Sequence, residues 1–315
     1  MTKIIENFDN VTFVIIGRNE ATNLPRCFQS IVNYSKNIIF VDSNSTDNSV
    51  SVAKKFGIPK ILSIESDYYS ASLGRVVGAK YATTEYIQFL DGDMKLEEGW
   101  LDAAMRKMES NKKIAIVHGF KKEFKTDEYN YKIRSDSKDW QSDYLQGAYL
   151  IKRDVYENAG GLDPNFPGEE ERDFYVRVRK LDYEVWYIHH LMASHYDFKI
   201  RGYKYLLNSE VAGAILVPLF KSLINGNILS YIYVYRRLLP VLLIDMVTLI
   251  LLICFIFNSQ STYLLLALIS QIIGLFYSLI IKRPGYFIIW KSAIINIHRS
   301  LRIFKREIIF SVREL

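Results

Sequence analysis

Residues 86–93 read YIQFLDGD. Tyr86 to Leu90 has the short apolar and aromatic character of a buried strand, and it stops on Asp91-Gly92-Asp93, two carboxylates separated by a residue without a side chain. The same arrangement recurs on either side: Val11 to Ile16 is followed by Arg18-Asn19-Glu20, Ile38 to Val41 is followed by Asp42, and Ile61 to Ile64 and Ile114 to Val117 read as further strands. Helical patterns begin near Ala21, Thr46, Ser70 and Glu97 and fill the gaps. Apolar strands separated by helices specify an α/β fold with a doubly wound, mainly parallel sheet buried on both faces. Ligands of such sheets bind outside the carboxyl ends of the strands, which is where this sequence gathers its acids.

Several chemistries are excluded by the loops. The turn after the first strand, IIGRNEATNL, has one glycine and no GxGxxG, so a dinucleotide pyrophosphate has no close backbone approach there. Neither a GxxxxGK[ST] phosphate loop nor a GxSxG nucleophile elbow occurs, which removes P-loop NTPases and α/β-hydrolases. Cys27 and Cys254 are far apart, and they support neither a disulfide framework nor a cysteine-based zinc site. Carboxylates without a nucleophile suit a divalent cation that in turn holds phosphate oxygens.

Beyond the sheet the composition changes. Half of the 315 residues are hydrophobic, more than a soluble enzyme of this size needs, and two uncharged-loop-linked runs account for the surplus. Val241 to Phe257 and Thr262 to Ile281 are each long enough, at roughly 25 to 30 Å as helices, to cross the hydrocarbon of a bilayer. Arg236 and Arg237 precede the first run and Lys282 and Arg283 follow the second, so the basic flanks predict a two-span hairpin in an inner or plasma membrane with both ends cytoplasmic. The polar start, MTKIIENFDN, predicts no secretory signal. Asp245 lies inside the first run, where a carboxylate is costly, and is expected to reach toward Arg236 and Arg237.

The net charge of +6 resides entirely in residues 282–315, where eight Lys and Arg face Glu307 and Glu314. Trp290, Ile294, Ile297, Leu301, Phe304 and Ile308 recur there at helical spacing, which predicts a basic amphipathic helix on anionic membrane lipid and no nucleic-acid partner. The expected organisation is a catalytic domain over 1–204, interface helices over 205–240, a transmembrane hairpin over 241–281 and a basic cytoplasmic tail over 282–315.

Four segments in order, FVIIGRNEATNLPRCFQSI, IIFVDSNSTDNSV, ATTEYIQFLDGDMKLEEGWL and QGAYLIKRDVYENAGGLDPNFPGEEERDFYVRVRKLDYEVWYI, resemble glycosyltransferase family 2 over about Asn10 to Asp197. The resemblance implies a GT-A fold, a nucleotide-sugar donor, with UDP preferred, and inversion at the anomeric carbon, in a membrane-attached member of bacterial type. It implies donor contacts from Arg18, Glu20, Asp42, Arg75, Asp91 and Gly92, with Asp42 in the base and ribose pocket. Asp91 and Asp93 resemble the family's DxD pair, with Mg²⁺ or Mn²⁺ on Asp93, on Asp91 and on His195. Glu171 stands where the family has its general base, most often Asp, and Glu170 or Asp173 are the alternatives. Val76 stands where Asn usually follows the arginine that Arg75 matches. Lys121 and Lys122 are candidates for touching an acidic acceptor. Polymer synthases of the family carry QxxRW, absent here, so a single sugar addition to a lipid-linked or saccharide acceptor, in polysaccharide or glycolipid synthesis, is expected. The alternatives are a polyprenyl-phosphate sugar synthase, which needs no hydroxyl base, and a non-enzymatic membrane scaffold that binds nucleotide sugars.

Overall fold

The four strands that precede the acids lie side by side. In a computed structural model, which describes residues 8–125, 128–133, 138–168, 170–196, 214, 216–236, 239–280 and 297–315, β1 (Val11–Gly17), β2 (Ile38–Asp42), β3 (Lys60–Ser66) and β4 (Tyr86–Asp91) are all parallel, in the order β3-β2-β1-β4. Six of the seven residues of β1 and all five of β2 are buried, as a strand covered on both faces requires. Gly17 pairs with Asp42 and Ile16 with Asp91, so these three strands end at one level. Helices α1 (Leu24–Gln29), α2 (Ser49–Lys55) and α3 (Ala71–Lys80) return the chain between them, each starting one to three residues after the position read from the pattern. Ser70 caps α3 by accepting from the Leu73 N–H. Gly74 and Gly78 then let α3 lie directly on β1: a Cβ at Gly78 would stand 2.3 Å from Val14 Cγ1. Arg75, between them, is carried down onto the sheet.

Past β4 the sheet becomes mixed. The chain continues through β5 (Met94–Leu96), α4 (Trp100–Glu109), β6 (Ile114–Lys125), β7 (Glu128–Ile133), β8 (Trp140–Gln141), β9 (Tyr149–Lys152), α5 (Arg153–Asn158), α6 (Glu170–Lys180) and β10 (Glu184–His195). The order runs β4-β9-β6-β10-β5, with β9 antiparallel to both neighbours, β6 parallel to β10 and β5 antiparallel to β10. The strand that begins at Ile114 runs on to Lys125, well past the apolar Ile114 to Val117.

The tail departs from expectation. Among the described residues, its helix is Ile297–Phe304 and does not continue to Ile308; Phe310–Glu314 instead form β11, antiparallel to β3. The edge of β3 otherwise presents unpaired backbone groups, and five residues of strand supply their partners. Residues Lys305–Leu315 therefore group with Met1–Ile200 in one unit, and Arg201–Phe304 form the other. In that second unit, Leu239–Asn258 and Ser261–Ile280 are two helices long and apolar enough to cross a membrane. Across the hairpin Asp245 Oδ1 accepts from Gln271 Nε2 at 3.2 Å, and Gln271 also donates to Thr248 Oγ1 at 2.6 Å. Arg237, Lys282, Arg283, Trp290 and Ile294 lie outside the described residues.

His118, on β6, ties a loop to this sheet. Gln146 Nε2 donates to His118 Nδ1 at 3.0 Å and to the Gly119 carbonyl at 2.8 Å, which leaves the N–H on His118 Nε2 to donate to Ser142 Oγ at 3.0 Å. The imidazole is fully buried and held neutral, with burial first and the Lys121 charge second pushing its pKa down to about 3. Because the folded value lies below the unfolded one, this residue's contribution is complete above about pH 6.5 and is lost as pH falls toward 3. Between pH 7 and pH 5 the expected loss is about 2 kcal/mol of unfolding free energy, read from denaturant curves, and His118→Gln should flatten that slope.

Candidate active site

Three loops converge at the carboxyl ends of β1, β2 and β4. The stretch after β2, DSNSTDNS, is rich in short polar side chains that bond to nearby backbone, and it laces onto the loop after β1. Asn19 N–H donates to Ser45 Oγ at 2.8 Å, Thr46 N–H to Asn19 Oδ1 at 2.8 Å, Glu20 N–H to Ser49 Oγ at 2.9 Å and Ala21 N–H to Asp47 Oδ2 at 3.0 Å. Asn19 and Asn44 both take left-handed backbone, φ 60° and 58°, which asparagine tolerates better than other side-chain-bearing residues. Asp42 is 2% exposed; its Oδ2 accepts from the Ser45 N–H at 3.0 Å, and its Oδ1 is buried without a protein partner. A buried carboxylate oxygen left over in this way has the capacity for a further hydrogen bond. Arg18 is exposed and packs over the Tyr69 ring at 4.5 Å. Glu20 turns to its own helix start, accepting from Asn23 Nδ2 at 2.9 Å.

On the other side of β1 stands a single guanidinium with three carboxylates. Arg75 Nη2 bonds Asp91 Oδ1 at 2.9 Å, and Nη1 bonds Glu170 Oε1 at 2.9 Å and Glu171 Oε1 at 3.3 Å. Burial lowers the Arg75 pKa, and Asp91, Glu171 and Glu170 outweigh that and hold it above its ordinary value. With 3% of its side chain exposed, Arg75 clamps the three carboxylates from within the fold. Gly147 makes room for it, since a Cβ there would lie 2.5 Å from Arg75 Nη2. Among the acids at the start of α6, Glu170 is 4% exposed and Glu171 16%, while Asp173 is buried against Arg177 at 2.8 Å. Glu171 is thus the most solvent-accessible of these three acids. Gly92 lets its own backbone close on β1 and α1: its N–H donates to the Ile16 carbonyl at 2.8 Å, and a Cβ would lie 3.0 Å from Leu24.

Asp93 meets His195 because β5, which follows it, pairs with the end of β10, Met94 opposite His195. The Nε2 of His195 lies 3.0 Å from Asp93 Oδ2, and Asp93 Oδ1 is buried without a protein partner. Among the described residues no three His, Cys, Asp or Glu side chains group as a complete cation cage. Two protein ligands with one spare carboxylate oxygen nevertheless fit a hard cation that takes its remaining ligands from phosphate and water. Lys121 and Lys122 stand on β6 opposite Ala193 and Ser194. Asp197 lies outside the described residues.

Residues 12–164 match the glycosyl transferase family 2 profile. The chain carries a family 2 glycosyltransferase domain. A TPR repeat-containing protein of Synechococcus elongatus is 31% identical over 93 residues, and an uncharacterized glycosyltransferase of Rickettsia conorii is 35% identical over 54 residues. These stretches are 29% and 17% of this chain, and they span only 23% and 19% of the relatives. The solved structure of residues 1–349 of S. aureus TarS superposes with a TM-score of 0.51 at 14% identity over 65% of each chain. A second TarS structure gives the same TM-score at 13% identity, over 67% of this chain and 43% of that one. The shared feature is the fold, a mixed sheet of GT-A type.

At this site, sequence reasoning found the acids and missed what holds them. Arg75 as a clamp, Gly147 as its clearance and Tyr69 under Arg18 come from segments distant in sequence. The only available signal was the SASLGRVVGAK pattern, with small residues on both sides of a buried arginine. Replacing Arg75 with Gln leaves three carboxylates facing one another, and the expected cost is about 3–5 kcal/mol at pH 8. Part of it should return at pH 5, where protonation relieves the repulsion. Unfolding curves at the two pH values check both statements.

Proposed function

We propose that the chain is an inverting glycosyltransferase, transferring a sugar from a nucleotide-sugar donor to a lipid-linked or saccharide acceptor at the cytoplasmic face of a membrane. The observation that carries this reading is the Arg75 cluster, which joins Asp91, inside the family 2 match and two residues before Asp93, to Glu170 and Glu171, just past the end of that match. The donor's base and ribose lie against the laced loops, where the spare Oδ1 of Asp42 accepts an N–H or O–H; UDP is the nucleotide the family resemblance favours. Mg²⁺ or Mn²⁺ would be held by Asp93 and His195, and when bound it neutralises charge on the leaving diphosphate.

The chain's own residues then have distinct tasks. Arg75 orients Glu171, fixing the carboxylate relative to Asp91. Glu171 takes the proton of the acceptor hydroxyl as that oxygen bonds to the anomeric carbon. The bond from that carbon to the diphosphate breaks on the opposite face, and the nucleoside diphosphate leaves with the electron pair. Attack opposite the leaving group inverts the configuration. The two apolar helices support a membrane setting, and holding the domain at a bilayer shortens the search for a lipid-borne acceptor.

Purified protein in detergent, given Mn²⁺, a panel of nucleotide sugars and a lipid extract, should release nucleoside diphosphate in a lipid-dependent manner. Glu171→Gln is expected to lower the turnover by about 10²- to 10⁴-fold with little change in donor binding. Substantial activity in Glu171→Gln would instead point to a phosphate acceptor, which needs no base. Donor binding without release from wild type, over the whole panel, would point to a binding protein that has kept the fold.

A further inference from the structure

Residues 306–309, which lead into β11, touch two loops of the catalytic unit. The Arg306 guanidinium lies over the Tyr68 ring at 4.2 Å. The Ile308 N–H donates to Asn165 Oδ1 at 3.0 Å. The Ile309 carbonyl accepts from Ser66 Oγ at 3.1 Å and from the Asp67 N–H at 3.4 Å. All of these partners fall in 66–70 or 163–165. The first loop ends at the cap of α3, which carries Arg75, and the second leads toward α6, which carries Glu170 and Glu171. The loops are also fastened to each other, Ser70 Oγ donating to the Pro164 carbonyl at 3.2 Å and Ser72 Oγ to the Asp163 carbonyl at 2.6 Å.

The first loop reaches the donor side as well. The Tyr69 hydroxyl accepts from the Ser66 N–H at 3.3 Å and from Asn44 Nδ2 at 3.0 Å, and its ring lies beneath Arg18. Ser66 therefore connects the Ile309 carbonyl with Tyr69, and Tyr69 connects with the two loops that follow β1 and β2. A cover for an exposed sheet edge needs only the strand pairing, which β11 supplies from Phe310↔Ser66 to Glu314↔Leu62, with Lys60 Nζ on the Glu314 carboxylate at 2.9 Å. The bond from the Asp67 N–H to the Ile309 carbonyl continues that pairing by one residue, whereas the contacts of Arg306 with Tyr68 and of Ile308 with Asn165 lie beyond it, on the two loops. Because β11 already anchors the segment, ordering these four residues costs little further entropy.

We propose that residues 306–314 form a clasp that positions the Tyr69 loop and the loop before Glu170, so that nucleotide binding depends on a segment far outside the family 2 domain. The clasp acts through loop geometry, and its link to nucleotide rests on the donor site described above. The test is the full-length double variant Arg306→Ala/Ile308→Pro, which removes the stacked guanidinium and the donated N–H while leaving β11 in place. Hydrogen exchange is followed at residues 66–70 and 163–165, and nucleoside diphosphate affinity by calorimetry. The expected result is about tenfold faster exchange in both loops and about a tenfold rise in Kd, the scale of one or two lost hydrogen bonds. In a chain lacking residues 306–315 the same changes are expected, with recovery on adding a synthetic peptide of that sequence; if that chain does not fold, the double variant decides. Wild-type exchange or wild-type Kd in the double variant overturns the clasp. A wild-type chain that binds no nucleoside diphosphate counts against the donor reading, and loop exchange then decides the clasp alone.

Discussion

One buried guanidinium organises this molecule. Arg75 belongs to α3, Asp91 to the end of β4, and Glu170 and Glu171 to the first turn of α6, and this cation offsets the repulsion that their proximity creates. A buried arginine without those acids is equally untenable, so each part fixes the others. The rest of the catalytic unit can be understood as accommodation: Gly74 and Gly78 lower α3 onto β1, Gly147 clears the guanidinium, and His118 with Gln146 holds the loop on which Gly147 sits. Such a cluster is a weak source of net stability and a strong source of geometry, because few alternative packings satisfy four charges at once.

The sequence was legible where a single physical requirement dominates locally. Strands β1 to β4 are buried on both faces and short, so their apolar runs stand out, and the acids at their ends follow from the parallel fold. The later strands obey mixed requirements. β9 has four residues, wedged antiparallel between β4 and β6, and β10 runs twelve residues with polar His189 and His190 inside it. β11 was hidden for another reason: basic residues with apolar ones at helical spacing satisfy a surface helix and, over Phe310–Glu314, an edge strand as well. Arg75 was visible as a residue, yet its three partners lie 16, 95 and 96 positions away, beyond the reach of any local pattern.

The membrane-spanning reading changes in one respect. The helices Leu239–Asn258 and Ser261–Ile280 turn large apolar side chains outward, Leu249, Ile256 and Phe276 among them, and place small or polar ones between them. Gln271, Thr248 and Ser270 form a polar seam, with Thr248 Oγ1 and Ser270 Oγ 2.6 Å apart, and Asp245 joins it through Gln271. In hydrocarbon, polar groups that bond across a helix pair favour keeping the pair together.

The pairing of β3 with β11 has a consequence for biosynthesis. Lys60 and Glu314 are separated by 254 positions, and both apolar helices are made between them. A nascent chain therefore presents the β3 edge unpaired while the hairpin is being synthesised, and that edge is open in the meantime to anything that could pair with it. Contacts so distant in the chain form late. The domain is thus born with an open seam and sealed only after both apolar helices have been made, which makes that interval the one in which a chaperone, or a mispairing with another nascent copy, meets the bare strand.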